Sequence, residues 1–195
     1  MRHSALAATV LVAWLATNLV AADEWPRFRG VDAGVVADDP TLPETWSETQ
    51  NIAWKTAIPG MGWSSPVVWG DHVIVTAAVS AGREKLPIPG LYDPGDEQGS
   101  LKSTAEHRWI VYDVDFKTGR IRWERVAHTG VPAKSRHVKN SYAAETPVTD
   151  GERVYAYFGD VGLFAFDMEG KPLWSKPVDA FEMQTGFGHA KSPVV

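Results

Sequence analysis

Three residues hold matching places in the chain, each two positions before a proline. Ser64 precedes Ser65-Pro66, Glu145 precedes Thr146-Pro147, and Lys191 precedes Ser192-Pro193, with His189 close by. A hydroxyl, a carboxylate, an amine and an imidazole drawn into one ring could bind a small polar ligand or take part in proton transfer. The plainer alternative is that Glu145 and Lys191 pair with each other or with water, a contact worth little at a wet opening. Histidine offers a second chemistry. His107, His128, His137 and His189 could converge on a metal as neutral imidazoles, yet none has the spacing of a ligand pair on one helix, and His128 and His137 lie nine residues apart. Hydrogen-bonded or solvated loop histidine is the better reading, and no metal site is expected. The basic run Lys134-Ser135-Arg136-His137-Val138-Lys139 could clamp an anion, although such a charge density is ordinary for a loop. No phosphate loop, nucleophile elbow or zinc-protease motif is present.

The elements that must position these residues are short strands. Residues 146–149 form an extended run, and Asp150-Gly151 favours a two-residue hairpin turn. Residues 152–158 then place Val154, Ala156 and Phe158 on one face, with Arg153, Tyr155 and Tyr157 on the other. A turn at 159–162, an apolar strand at 163–166, a turn at Glu169-Gly170 and a strand carrying Trp174 complete a four-stranded meander. One meander alone cannot bury both faces. Repetition answers that need: residues 65–75 match 146–156, and residues 115–123 match 167–174 one residue shorter. Pro147 and Pro193 are 46 residues apart, within the range of a propeller blade.

The expected fold is therefore all-β, a β-propeller of four-stranded antiparallel blades. Two blades and partial blades are present, as if cut from a seven- or eight-bladed ring. Residues 63–125 make blade one, 141–176 blade two and 188–195 the start of a third; residues 51–58 are a closing strand for a blade whose partners lie outside this sequence. Blade one carries an insertion at 79–106 with seven Gly or Pro in 28 residues. With the connections at 126–145 and 177–191, it crowds one face with long loops, while the opposite face has tight turns. Ser64, Glu145, His189 and Lys191 belong at the long-loop mouth of the axial channel, a position suited to function.

The turns before the tryptophans carry a resemblance. Asp115-x-x-Thr118-Gly119-x-x-x-Trp123 resembles the tryptophan-docking motif of pyrroloquinoline quinone (PQQ)-like propeller repeats, and Asp167-x-x-Gly170-x-x-x-Trp174 is similar without the threonine. Trp54 holds the corresponding place in its own strand. The resemblance covers residue 51 to the end. It implies that each Trp wedges between blades against a Gly, with Asp and Thr bonded inside the turn; the motif is structural and does not report a bound quinone. Similar repeats build quinoprotein dehydrogenases and the periplasmic scaffold of outer-membrane protein assembly. Two functions follow from the resemblance. One is an exported, non-catalytic binding or assembly scaffold with no cofactor expected. The alternative is a PQQ- and calcium-dependent alcohol or sugar oxidoreductase. The vicinal cysteine pair frequent in such dehydrogenases is absent.

Composition narrows the setting. Residues 1–22 have a basic start, an apolar stretch and small residues before Asp23, so a signal peptide cleaved after Ala22 is expected. That predicts a periplasmic or secreted protein with no membrane span after cleavage. Residues 23–50 form an extension in which Trp25, Phe28 and Trp46 should pack along the outside or edge of the propeller. The formal net charge of −5 is no footprint for nucleic acid. Cysteine is absent, which excludes disulfides and thiolate metal sites. Partners are expected among other envelope or secreted proteins, or in a small polar ligand.

Overall fold

The structure, a computed structural model, describes residues 24–35, 40–86, 100–159, 161–178 and 188–195. The expected signal peptide and much of the blade-one insertion lie outside them. The described strands are, in chain order, β1 (Val67–Trp69), β2 (His72–Ser80), β3 (Ser100–Leu101), β4 (His107–Asp115), β5 (Ile121–Gly130), β6 (Arg136–His137), β7 (Val148–Thr149), β8 (Arg153–Phe158), β9 (Gly162–Asp167) and β10 (Pro172–Pro177). They form two four-stranded antiparallel sheets, β1-β2-β4-β5 and β7-β8-β9-β10, and a small β3–β6 pair. The fold is all-β, built of propeller blades.

Alternation explains how the blades stack. Along β8 the odd-numbered residues face outward while Val154, Ala156 and Phe158 are fully buried. Val67, Ile74, Trp109, Val111 and Trp123 of blade one meet Val154, Ala156, Phe158 and Phe166 of blade two in one core. The other face of blade one buries Ala77, Ile110 and Tyr112 against Ile58. Ile58 thus covers part of that face, and residues 51–58 have no sheet partner among the described residues.

The first strands converge. β1 and β7 touch, the Ser65 N–H donates to Thr146 Oγ1 at 3.0 Å, and the Thr146 N–H donates to Ser192 Oγ at 2.9 Å. On the far side, a cleft of about 240 Å³ separates β5 from β9 and β10. The sheets therefore fan outward from an inner edge lined by the first strand of each repeat.

Several boundaries differ from the sequence reading. The β2–β4 ladder continues to Ser80↔His107, so the insertion begins after residue 80, not at 79. β5 runs on to Gly130 because β4 is long enough to pair with it throughout, which lengthens blade one beyond 125. The turn after β7 is shifted by one residue: the register is Thr149↔Val154 and the Asp150 N–H donates to the Arg153 carbonyl at 3.3 Å, so Gly151-Glu152 and not Asp150-Gly151 stand at the tip, while Asp150 Oδ1 accepts the N–H groups of Glu152 (2.9 Å) and Arg153 (2.6 Å). An Asp side chain bonded to the backbone that follows it favours a turn that starts at the Asp. The extension also departs from its expected place. Trp25 and Val68 exchange N–H···O bonds of 2.8 and 2.9 Å, which sets this part on the inner edge, while Phe28 and Trp46 are exposed.

Candidate functional site

The long-loop face is built from the ends of the inner strands and from two loops stapled together. β3 of the insertion pairs with β6 of the loop after β5. Beneath them lies a buried charged cluster. Arg136 donates to the carbonyls of His137 (3.2 Å), Val138 (3.4 Å) and Asn140 (2.7 Å), and to Glu84 Oε2 at 3.4 Å. His107, 1% exposed, donates from Nε2 to Glu84 Oε1 at 2.7 Å and faces the Ala105 carbonyl with Nδ1 at 2.9 Å. Both ring nitrogens look at acceptors, so the bond set is complete only when both carry protons. Hydrogen bonding from His107 holds the Glu84 carboxyl below its ordinary range despite burial, with Arg136 adding to the effect. Tyr142 finishes the cluster: its ring meets His107 edge-on at 5.1 Å and lies under the Arg136 guanidinium at 5.5 Å.

Glu145 and His189 are brought together at the edge of this cluster. Glu145 is buried, and its Oε1 accepts the Gly159 N–H at 3.0 Å. A methyl group added at Gly159 would lie 2.5 Å from the Cβ of His189 and 2.7 Å from Glu145 Oε1, so only glycine admits this approach. Arg136, Ser141, Tyr142, Glu145 and His189 enclose a cavity of about 10 Å³. Ser64 stands apart, its hydroxyl 3.4 Å from the backbone N and O of Thr76; Thr76 Oγ1 in turn lies 3.4 Å from the Glu145 carbonyl. These are long for hydrogen bonds. Lys191 is exposed on the same face. The four sequence candidates thus divide into a Glu145–His189 pair, a Ser64 linked to it through Thr76, and a lysine at the surface.

The motif residues occupy the joints between repeats. Asp115 Oδ1 accepts the Thr118 hydroxyl and N–H, both at 2.8 Å, and Arg122 pairs with Oδ2. These bonds hold the Asp115 carboxyl down at about 2. In blade two, Asp167 Oδ1 accepts the Lys171 N–H at 2.7 Å. The Trp54 indole lies on Gly119 and donates to the Phe116 carbonyl at 2.7 Å. Trp123 lies on Gly170 and donates to the Met168 carbonyl at 2.9 Å. In both blades a β-bulge precedes the tryptophan, between Trp123 and Ile121 and between Trp174 and Pro172, and turns the indole onto its face. Trp174 is half exposed and meets the Tyr155 ring at a tilt of 45°, 6.0 Å between centroids.

Sequence reasoning missed Glu84, placed His107 only at the border of the insertion, and read Arg136 as a loop residue. His107 shares a face of β4 with Trp109, Val111 and Asp113, but both faces of this strand are buried, so its sequence shows no alternation that would have announced the histidine as core. Arg136, in the basic run that could have clamped an anion, is engaged by Glu84 and three carbonyls. Its carboxylate partner is 52 residues away, which no local pattern announces. His128 packs against Trp109 at 5.4 Å, and the His137 ring Nδ1 accepts the Lys139 N–H. No group of three or more His, Asp or Glu suited to a metal occurs among the described residues.

The Glu145–His189 cavity has room for about one water, while Ser64 borders a separate cleft of about 230 Å³ with Trp63, Val75 and Thr76.

Comparison with known families gives a match over most of the chain. The PQQ-repeat family model described as outer membrane protein assembly factor BamB covers residues 27–189. No curated protein matches the chain at a significant level.

Proposed function

The chain belongs to the PQQ-repeat β-propeller family described as outer membrane protein assembly factor BamB, and we propose that it is an exported, non-catalytic binding or assembly scaffold of the cell envelope. The observation that carries this reading is the state of the long-loop face. Its chemistry-bearing residues Glu84, His107, Arg136 and Glu145 are bonded to one another or to backbone, beneath the paired loops. Such bonding makes a stiff platform, and the roomier cleft of about 230 Å³ beside Ser64 is lined by Trp63, Val75 and Thr76 without a carboxylate, amine or imidazole to act as acid or base. Val131, exposed beside the platform, offers apolar area to a protein partner.

The test is site-specific photocrosslinking of the full-length protein in envelope extract, with the reactive group at Val131 on the long-loop face or at Phe116 on the turn face. A discrete adduct from Val131 and none from Phe116 is expected. Equal labelling at both positions overturns the reading. So does a stoichiometric quinone absorbance with dye-linked alcohol oxidation after addition of PQQ and Ca²⁺.

A further inference from the structure

Three successive residues of the N-terminal extension touch the same position of three successive repeats. Aligned on their prolines, Ser65-Pro66-Val67-Val68, Thr146-Pro147-Val148-Thr149 and Ser192-Pro193-Val194-Val195 make Val68, Thr149 and Val195 equivalent. Trp25 exchanges two backbone bonds with Val68 (2.8 and 2.9 Å), the Thr149 N–H donates to the Pro26 carbonyl at 2.9 Å, and Arg27 Nη1 donates to the Val195 carbonyl at 3.2 Å. Consecutive Cα atoms lie about 3.8 Å apart, so the third repeat is reached by a long side chain and not by backbone. Pro26 has no N–H to leave unpaired between the two strands.

The segment is held from behind as well. After Arg27 the chain turns back, with the Gly30 N–H donating to the Arg27 carbonyl at 2.9 Å. Arg27 Nε and Nη2 clamp the carbonyls of Gly30 and Val31, both at 3.1 Å. Gly30, at φ +65°, lies under the Trp25 indole, where a Cβ would come within 2.7 Å of the ring.

We propose that Trp25–Arg27 is an axial strap. It pairs the free inner edges of the first strands near the turn face and ties the repeats in register. The inference concerns the opposite end of the fold from the scaffold platform and does not depend on it.

Amide hydrogen exchange by NMR on the full-length protein tests this, because an inner-edge N–H has no sheet partner other than the strap. In the unaltered protein the Val68 and Thr149 amides should be protected. In Gly30→Val, which displaces Trp25, and in Arg27→Ala, they should exchange at least about tenfold faster, while Ile74 and Ala156 inside the blades keep their rates. A synthetic peptide of residues 24–34 added to Gly30→Val should slow Val68 and Thr149 again. Fast exchange of Val68 and Thr149 in the unaltered protein overturns the strap. So does full protection of both amides in both variants.

Discussion

Two glycines allow the docking of an indole to be separated from backbone strain. Gly70 and Gly170 both sit at positive φ, +54° and +78°, so alanine at either should cost about 1–2 kcal/mol for the left-handed conformation. Their surroundings differ. A Cβ at Gly70 meets nothing within 4 Å, whereas one at Gly170 would lie 2.6 Å from Cδ2 of Trp123. The indole must then withdraw, and its N–H loses the buried Met168 carbonyl, at a cost of about 1–3 kcal/mol. Re-exposing roughly a third of a side chain that buries about 150–250 Å² costs about 1.5 kcal/mol more. Gly170→Ala should therefore destabilise by about 4–6 kcal/mol and Gly70→Ala by only about 1–2. Gly119→Ala should fall between them, since Trp54 is half-buried where Trp123 is buried. Urea titration followed by tryptophan fluorescence and far-ultraviolet circular dichroism reads the difference, as a midpoint separation of about 1–3 M between the Gly70 and Gly170 variants. If those two variants unfold within about 1 kcal/mol of each other, with equal slopes, the indole is not held by the glycine and the reasoning fails.

Three further outcomes are expected. Arg136→Met should cost about 3–5 kcal/mol in urea unfolding, because it leaves Glu84 and three carbonyls without their cation; a loss below about 1 kcal/mol would place that cluster among surface ion pairs. Asp115 should titrate at about 2 by NMR and move up towards 3.8 in Thr118→Ala. A carboxyl depressed in the fold lends stability that is present above the unfolded value and lost as pH falls through about 2. Asp113 has the opposite sign: burial raises its carboxyl despite the His72 bond, and its Oδ1 is buried without a partner. Ionisation there weakens the fold as pH climbs through the raised value, so Asp113→Asn should be more stable than the parent at neutral pH and lose that advantage below 3.8 in thermal unfolding.

How much of this was legible in sequence follows from the reach of each interaction. Buried Val154, Ala156 and Phe158 announce themselves because a strand with one face in the core must alternate. The two bulged tryptophans announce themselves because the same turn recurs in register. The turn at Asp150 falls one residue later than the Asp-Gly dipeptide suggests, because the Asp150 carboxylate takes the Arg153 N–H and leaves Gly151-Glu152 at the tip. Period and spacing say nothing of bonds that join distant segments. Arg136 and Glu84 meet across 52 residues, and the Pro26 carbonyl finds its donor on a strand more than a hundred residues onward. Of the candidate site, the matching positions were Ser64, Glu145 and Lys191, whereas the residue that the structure sets beside Glu145 is His189, two positions before Lys191. The glycine that admits this pair, Gly159, has no local signature beyond lying in a turn.

The joints between repeats share a direction, and that direction explains why Ser/Thr-Pro recurs. At the turn face, the tryptophan of one repeat is received by the glycine of the next: Trp54 by Gly119, Trp123 by Gly170. At the inner edge, the N–H of one repeat is received by the hydroxyl of the next: Ser65 by Thr146, Thr146 by Ser192. Thr146 both gives and takes. A Thr146→Ala variant would keep its own backbone N–H for Ser192 but leave the Ser65 N–H unmet. The following proline has no N–H to compete for the same hydroxyl. A single residue before proline therefore sets the angular step between repeats, while the indole on its glycine fixes their separation further out. Neither contact alone defines the joint, because the inner bond by itself lets two blades open or close like a fan and the outer indole contact stops that motion.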